Sequence, residues 1–237
     1  MNAIATLKHA EKLTNQLLAT LDQADDLVFS TTSDIASLRS VWRNLEQRSA
    51  AHVFQTWAWV SNWHTYIGKA RGITPHIIMA TSRDGVMQAL LPMGIETRSG
   101  LRTLLWLGDE HADFKGPLMD RDLMVGLTTD TAKKLFDEAF RLTRGIDAVK
   151  LLDMPEILND QLNPLLVYPS QRGPAGSHSL TLNAKFDDLY KARRSASSRK
   201  KLRQRLRRLT EAAGPTKFKI ARTPQARSEA ISVMIEQ

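Results

Sequence analysis

The sequence contains no cysteine. Disulfides, thiolate nucleophiles and cysteine metal sites are therefore excluded. No apolar run approaches the roughly 20 residues that a membrane-spanning helix needs. The N-terminus, "MNAIATLKHAEKLTNQLLATL", lacks the compact apolar core and small-residue cleavage site of a secretion signal. It patterns instead as an amphipathic helix, with Leu7, Ala10, Leu17 and Leu21 at helical spacing. The expected location is the cytoplasm. One long stretch also lacks acid: Lys191 to Arg208 holds ten Lys/Arg and no Asp or Glu. The 237-residue chain carries a net charge of +8, and without that stretch the remainder carries −2. This is a near-neutral protein with a single cationic element, which points to a defined anion contact rather than diffuse attraction. A hydrophobic content of 42% supports a folded core.

Periodicity and turn chemistry divide the chain into elements. "DLVFSTT" (26–32) has strand composition. Ser33 is placed to cap a helix with Ile35, Leu38, Trp42 and Leu45 on one face, and Thr56 to cap a second with Trp57, Val60, Trp63 and Ile67 inward and Gly68 as the stop. "PHIIMATS" (75–82) and "VMQALLPMGIET" (86–97) form a hairpin across "RDG", and "LRTLLWL" (101–107) is a further strand. A loop, "GDEHADFKGPLMDRD", leads to a helix expected over about 123–144, ended by Gly145, and then to a buried strand "AVKLLDM" (148–154). The stretch 158–177 is rich in Pro, Gly and Asn and reads as a linker or irregular crossing. Beyond it come a strand "HSLTLN" (178–183), a short helix at 186–190, and the basic helix, capped by Ser195 or Ser197 and ended by Gly214-Pro215. A strand "TKFKIAR" (216–222) follows, and Thr223-Pro224 opens a last helix. That helix meets no stop signal by Gln237, so the expectation is a front part of a longer protein. The expected divisions are an extension 1–25, a first lobe 26–157, a crossing 158–177 and the start of a second lobe 178–237.

The order β-α-α-β-β-β-α-β in the first half resembles the GNAT acyltransferase fold. Three segments resemble the two-lobed, FemAB-like branch described as cellulose-biosynthesis-associated (CelD-type) acetyltransferases. They are "WRNLEQRSAAHVFQTWAWVSNWHTYIG" (42–68), "RDGVMQALLPMGIETRSGLRTLLWLGDEHADFKGPL" (83–118) and "SSRKKLRQRLRRLTEAAG" (197–214). The likeness spans most of 28–237. It implies an α/β (α+β) fold: a GNAT-like mixed, mostly antiparallel sheet flanked by helices, followed by an incomplete second lobe. It also implies acyl transfer from acyl-CoA to an amine or hydroxyl of a small or envelope-related acceptor, with no metal, and residues 1–237 inactive on their own.

In such enzymes backbone N–H groups after the fourth strand cradle the coenzyme's pyrophosphate. Here that loop brings Asp109, Glu110 and Asp113, with Asp120 and Asp122 at the next helix start, opposed in sequence only by Lys115 and Arg121. Carboxylates compete with phosphate for such a place. The first lobe is therefore expected not to bind acyl-CoA. "QRGPAG" (171–176) has the wrong spacing for a glycine cradle and follows no clear strand.

Three groups of candidate residues remain. Asp109, His111 and Asp113 can serve as a general base toward an acceptor, can ligate a metal, or can simply cap turn N–H groups. Trp59 lies off the inward face of its helix and is a candidate for stacking in an acceptor groove. On the basic helix, Leu202, Leu206, Leu209 and Ala213 form a stripe expected to dock on the protein body, flanked by Arg199 and Arg203 on one side and by Lys201, Arg205 and Arg208 on the other. Those five cations either form a solvated face, hold an anion such as a CoA phosphate, an anionic acceptor or an acidic surface, or contact nucleic acid. The element has no aromatic residue to stack on bases. The histidines His9, His52, His64, His76 and His178 are scattered and claim no role.

Overall fold

A computed structural model describes residues 26–158, 161–173, 181 and 185–236. The chain divides into two units, Met1–Pro174 and Ala175–Gln237. The expected helix at 1–25 lies outside the described residues, and so does nearly all of the expected strand 178–183.

The first unit is mixed α+β, built on a mostly antiparallel sheet. Its strands are β1 (Val28–Thr32), β2 (Thr74–Thr81), β3 (Met87–Arg98), β4 (Leu101–Trp106), β5 (Leu118–Met119) and β6 (Ala148–Lys150), with a small hairpin of β7 (Ile157–Leu158) and β8 (Gln161–Leu162). The sheet order is β1-β2-β3-β4-β6, and only β4 with β6 is parallel. Helices α1 (Arg39–Arg48) and α2 (Trp57–Trp63) cover one face, and α3 (Arg121–Gly126) and α4 (Thr129–Arg141) the other. Period-two alternation sorts the side chains. Ile77, Leu90, Leu105 and Leu107 meet Trp42, Leu45, Val60 and Trp63. Ile78, Leu91, Met93 and Leu104 meet Leu135, Phe136 and Ala139.

β3 is long because two strands share one of its edges. β4 pairs with Met93–Arg98, and β5 with Ala89 and Leu90. Between them, Leu107 N donates to the Pro92 carbonyl at 2.9 Å. In an antiparallel pair the N–H and C=O of one residue face the same neighbour, and Pro92 has no N–H to return. The chain leaves the sheet there, at Gly108 with φ +110°, and comes back at β5. β5 itself was not foreseen.

The sequence expectations are corrected at several places. Asp34, not Ser33, starts the first helical turns: its Oδ1 accepts from Ala36 N and Ser37 N. The helix expected over 123–144 is two helices, broken at Leu127; Thr128 caps α4 by accepting from Thr131 N. The strand expected to be buried over 148–154 is only Ala148–Lys150, and all three residues are exposed. It is the outermost strand, and among the described residues nothing pairs with its far edge. The segment expected as a crossing from 158 begins inside the first unit. Leu158 and Leu165 are buried in its core, and the Tyr168 hydroxyl donates to Asp137 Oδ1 on α4 at 2.7 Å.

The second unit contains α5 (Phe186–Arg193), α6 (Ala196–Ala213) and α7 (Pro224–Ile235). Ser195 caps α6 by accepting from Ser198 N, Gly214 ends it at φ +82°, and Thr223 caps α7. No described residue of these helices is buried. The stripe Leu202, Leu206 and Leu209 is thus exposed rather than docked, and residues 216–222 form no strand, with Phe218 91% exposed. Local capping fixes these helices, but the alternation in "TKFKIAR" finds no partner strand among the described residues to make it a sheet.

Gln55 ties the first unit together around the loop. Its Nε2 donates to the carbonyls of Gly116 (3.0 Å) and Pro117 (2.8 Å), and its Oε1 accepts from His52 N. Gln55→Met would orphan these buried groups, at a cost of about 1–3 kcal/mol. The expected readout is a lower urea midpoint at unchanged slope; an unaltered midpoint would show that the tie is dispensable.

Candidate functional site

The loop 108–117 lies at the C-terminal end of β4. Gly108 is required there: at its positive φ, a Cβ would sit 3.0 Å from Ala112 Cβ and 3.7 Å from Trp59 Nε1. Asp109 follows with φ +30° and is only 7% exposed. Arg71 Nη1 lies 2.8 Å from its Oδ2, though without good hydrogen-bond alignment, and Lys150 Nζ lies 3.5 Å from its Oδ1. Arg71 also holds Glu96 at 3.0 Å. Burial alone would raise the Asp109 pKa, but Arg71, Lys150 and Lys115 outweigh it and hold the carboxyl below the usual carboxylate range.

A buried carboxylate kept ionised between two cations makes a poor proton acceptor near neutrality. His111 is exposed, and its Nδ1 accepts from Trp63 Nε1 at 3.3 Å, which puts the ring proton of the neutral form on Nε2. Asp113 is exposed. The three residues therefore do not converge: Asp109 is buried in ion pairs, while His111 and Asp113 stand in solvent. Among the described residues no group of three or more His, Asp or Glu side chains is placed to hold a metal ion.

The loop's charge is also balanced differently from the sequence expectation. Lys115, 5% exposed, pairs with Asp153 at 2.6 Å. Asp120 is bound by Arg48 and caps the six-residue α3 through Asp122 N. Besides Lys115, the opposing cations are Arg48, Arg71 and Lys150, all remote in sequence. The loop's carboxylates Asp109 and Asp120 are thus already paired with cations of the same chain.

Trp59 is half-buried and packs edge-on against Phe54, with centroids 5.0 Å apart and planes at 86°. Phe114 joins Phe54 at 6.3 Å and His52 at 5.3 Å. The ring nitrogens Trp59 Nε1 and His52 Nε2 are buried without a hydrogen-bond partner. Burial lowers the His52 pKa, so its ring is neutral at pH 7. Trp59 thus belongs to an aromatic wall beside the loop. His52, Phe54 and Phe114, which the sequence reading passed over, form the rest of that wall.

Of the five cations expected to bind an anion, the structure separates Arg199 from the others. Its Nη1 donates to the carbonyls of Lys191 (2.9 Å) and Arg194 (3.0 Å), fastening α6 to the end of α5. Lys201 and Arg205 line a concavity of about 370 Å³ between α5 and α6, with Tyr190, Arg194, Ser198 and Leu202. Arg203 and Arg208 are exposed outside that lining.

Comparison with models of known families, with curated proteins and with solved structures finds no match. No described helix is long and apolar enough to cross a membrane.

The Asp109 ion pairs make a signed pH prediction. A carboxylate with a depressed folded pKa contributes stability that is present above its unfolded value and lost as pH falls through the folded one. Asp109→Asn should therefore lower the urea midpoint above about pH 5, and its difference from wild type should close below about pH 4. A difference that persists unchanged at pH 3 would show that the carboxylate's charge is not what matters.

Proposed function

We propose that the protein serves N-acyl transfer from acyl-CoA to an amine, or a hydroxyl, of a small or envelope-related acceptor, as its GNAT- and FemAB-like sequence features imply. The observation that carries this reading is the sheet: a four-stranded antiparallel meander, β1 to β4, extended after the α3–α4 crossover by one parallel strand, β6. In such chemistry a base takes the amine proton, the nitrogen attacks the thioester carbonyl, N–H groups hold the oxyanion, and CoA leaves as its thiol. In this reading the first unit is a supporting lobe. The loop after β4 is occupied by Asp109 in its pairs with Arg71 and Lys150, which supports a lobe that does not hold the donor. The aromatic wall of Trp59, Phe54 and Phe114 is suited to the acceptor side.

Thiol release tests the supporting-lobe reading. The chain has no cysteine, so a thiol reagent reports only liberated CoA. Residues 1–237 are expected to be inactive on their own, so acetyl-CoA with a panel of primary amines and sugar hydroxyls should give no release above the protein-free blank. Acceptor-dependent release would overturn the reading of the first unit as a supporting lobe.

The exposure of α6 along its whole length favours a second reading, a non-catalytic anion- or nucleic-acid-binding module using 196–213. A salt titration of duplex DNA binding separates the two. Backbone contact predicts that log affinity falls with log salt by about 0.9 per phosphate neutralised. Absent or salt-insensitive binding would remove the nucleic-acid form of this reading.

A further inference from the structure

The corner between α5 and α6 is where unpaired positive charge meets a concave surface. Arg194 is extended, Ser195 caps α6, and the Arg199 guanidinium binds the carbonyls of Lys191 and Arg194. The second helix is thereby held against the end of the first. Ser198, Lys201, Leu202 and Arg205 recur at i, i+3, i+4 and i+7, so they share one face of α6. With Tyr190 and Arg194 they line the concavity of about 370 Å³. Its polar groups are three cations and two hydroxyls, and Leu202 supplies an apolar wall. Among the described residues no carboxylate lies within ion-pairing distance of Arg194, Lys201 or Arg205. The cation on the outer face, Arg207, by contrast reaches Glu211 at 3.4 Å.

We propose that this concavity is a binding site for a small phosphorylated ligand, with Arg194, Lys201 and Arg205 on the phosphate oxygens and the hydroxyls of Tyr190 and Ser198 completing the shell. Like charges one helical turn apart repel, and a multiply charged anion placed among them removes that repulsion. Two arginines supply planar forks for phosphate oxygens, and the lysine adds a compact charge. The volume falls within the range of small-molecule sites. The three cations that line the concavity gather in one corner rather than following a line, and the aromatic ring among the lining residues, Tyr190, is already stacked on Phe186. Both features favour a compact ligand over a nucleic-acid strand. Phe186 stacks on Tyr190 at 5.4 Å and 14°, steadying the ring whose hydroxyl the site uses. This assignment goes beyond the acyl-transfer reading and does not depend on it. A CoA phosphate and an unrelated phosphoester share the required chemistry.

The test titrates the protein with inorganic pyrophosphate, ADP and adenosine by calorimetry at fixed ionic strength. Two double variants, each removing two charges from α6, are compared: Lys201→Gln with Arg205→Gln inside the concavity, and Lys200→Gln with Arg207→Gln outside it. All four positions are exposed, and circular dichroism checks that the helix persists. Pyrophosphate and ADP should bind wild type while adenosine does not. The inside pair should lose about tenfold or more in affinity, the loss of roughly one charged hydrogen bond, and the outside pair less than threefold. Equal losses in both pairs would reduce the site to a diffuse cationic surface. Absence of pyrophosphate binding below millimolar would overturn the assignment. So would duplex DNA that binds more tightly than ADP and is equally weakened by both pairs.

Discussion

The first unit depends on how one edge of β3 is shared. β4 and β5 lie end to end along it, so the chain must leave the sheet after Leu107 and rejoin it at Leu118. Ten residues make that excursion, and an untethered loop of that length would lose its conformation to chain entropy. Three ties prevent this. Asp109 is gripped by Arg71 and Lys150, Lys115 by Asp153, and the Gly116 and Pro117 carbonyls by Gln55. Together the ties reach four places: the turn before β2, the end of β6, the segment after it, and the short turn before α2. The loop's position thus reports the whole unit's assembly. Phe114 meets Phe54 and His52 because the loop is held there.

These ties also explain the chemistry the loop lacks. Partly buried ion pairs cost desolvation, which is offset only when both partners stay charged and close. The same arrangement that makes Asp109 a good anchor makes it a poor base. His111 is turned toward Trp63, and Asp113 toward solvent. A sequence in which two carboxylates flank a histidine looks catalytic until the backbone distributes them. Positive φ at Gly108 and Asp109 does this, turning the first carboxylate inward and leaving the others out.

What was legible in the sequence was whatever depends on local spacing. Trp42 and Leu45, Val60 and Trp63, the Thr56 cap, the "RDG" turn and the pleat of β2 against β3 all follow from periods of 3.6 and 2 and from turn residues. What was not legible came from distance. Arg71 and Lys150 are 38 and 41 residues from Asp109, and nothing in their surroundings announces that they converge on it. β5 is two residues long and exists because β3 has edge to spare. The break in the 123–144 helix was visible only as a threonine, since Thr128 can sit inside a helix or begin one. β6 failed in the opposite way. Val149 and its neighbours look like a core strand, but at the sheet's margin with one neighbour they remain exposed.

The two units treat charge in opposite ways. In the first, the cations that approach the site end on carboxylates: Arg71 on Asp109 and Glu96, Lys115 on Asp153, Arg48 on Asp120. A charge already satisfied by a partner of the same chain gains little from a ligand. In the second unit Arg194, Lys201 and Arg205 line a concavity with no such partner among the described residues, while Arg199 binds the backbone carbonyls of Lys191 and Arg194. Ligand binding is strongest where the protein has left an interaction unmade in a preorganised place. The α5–α6 corner, and not the end of β4, is where cations line a concavity without a carboxylate partner among the described residues.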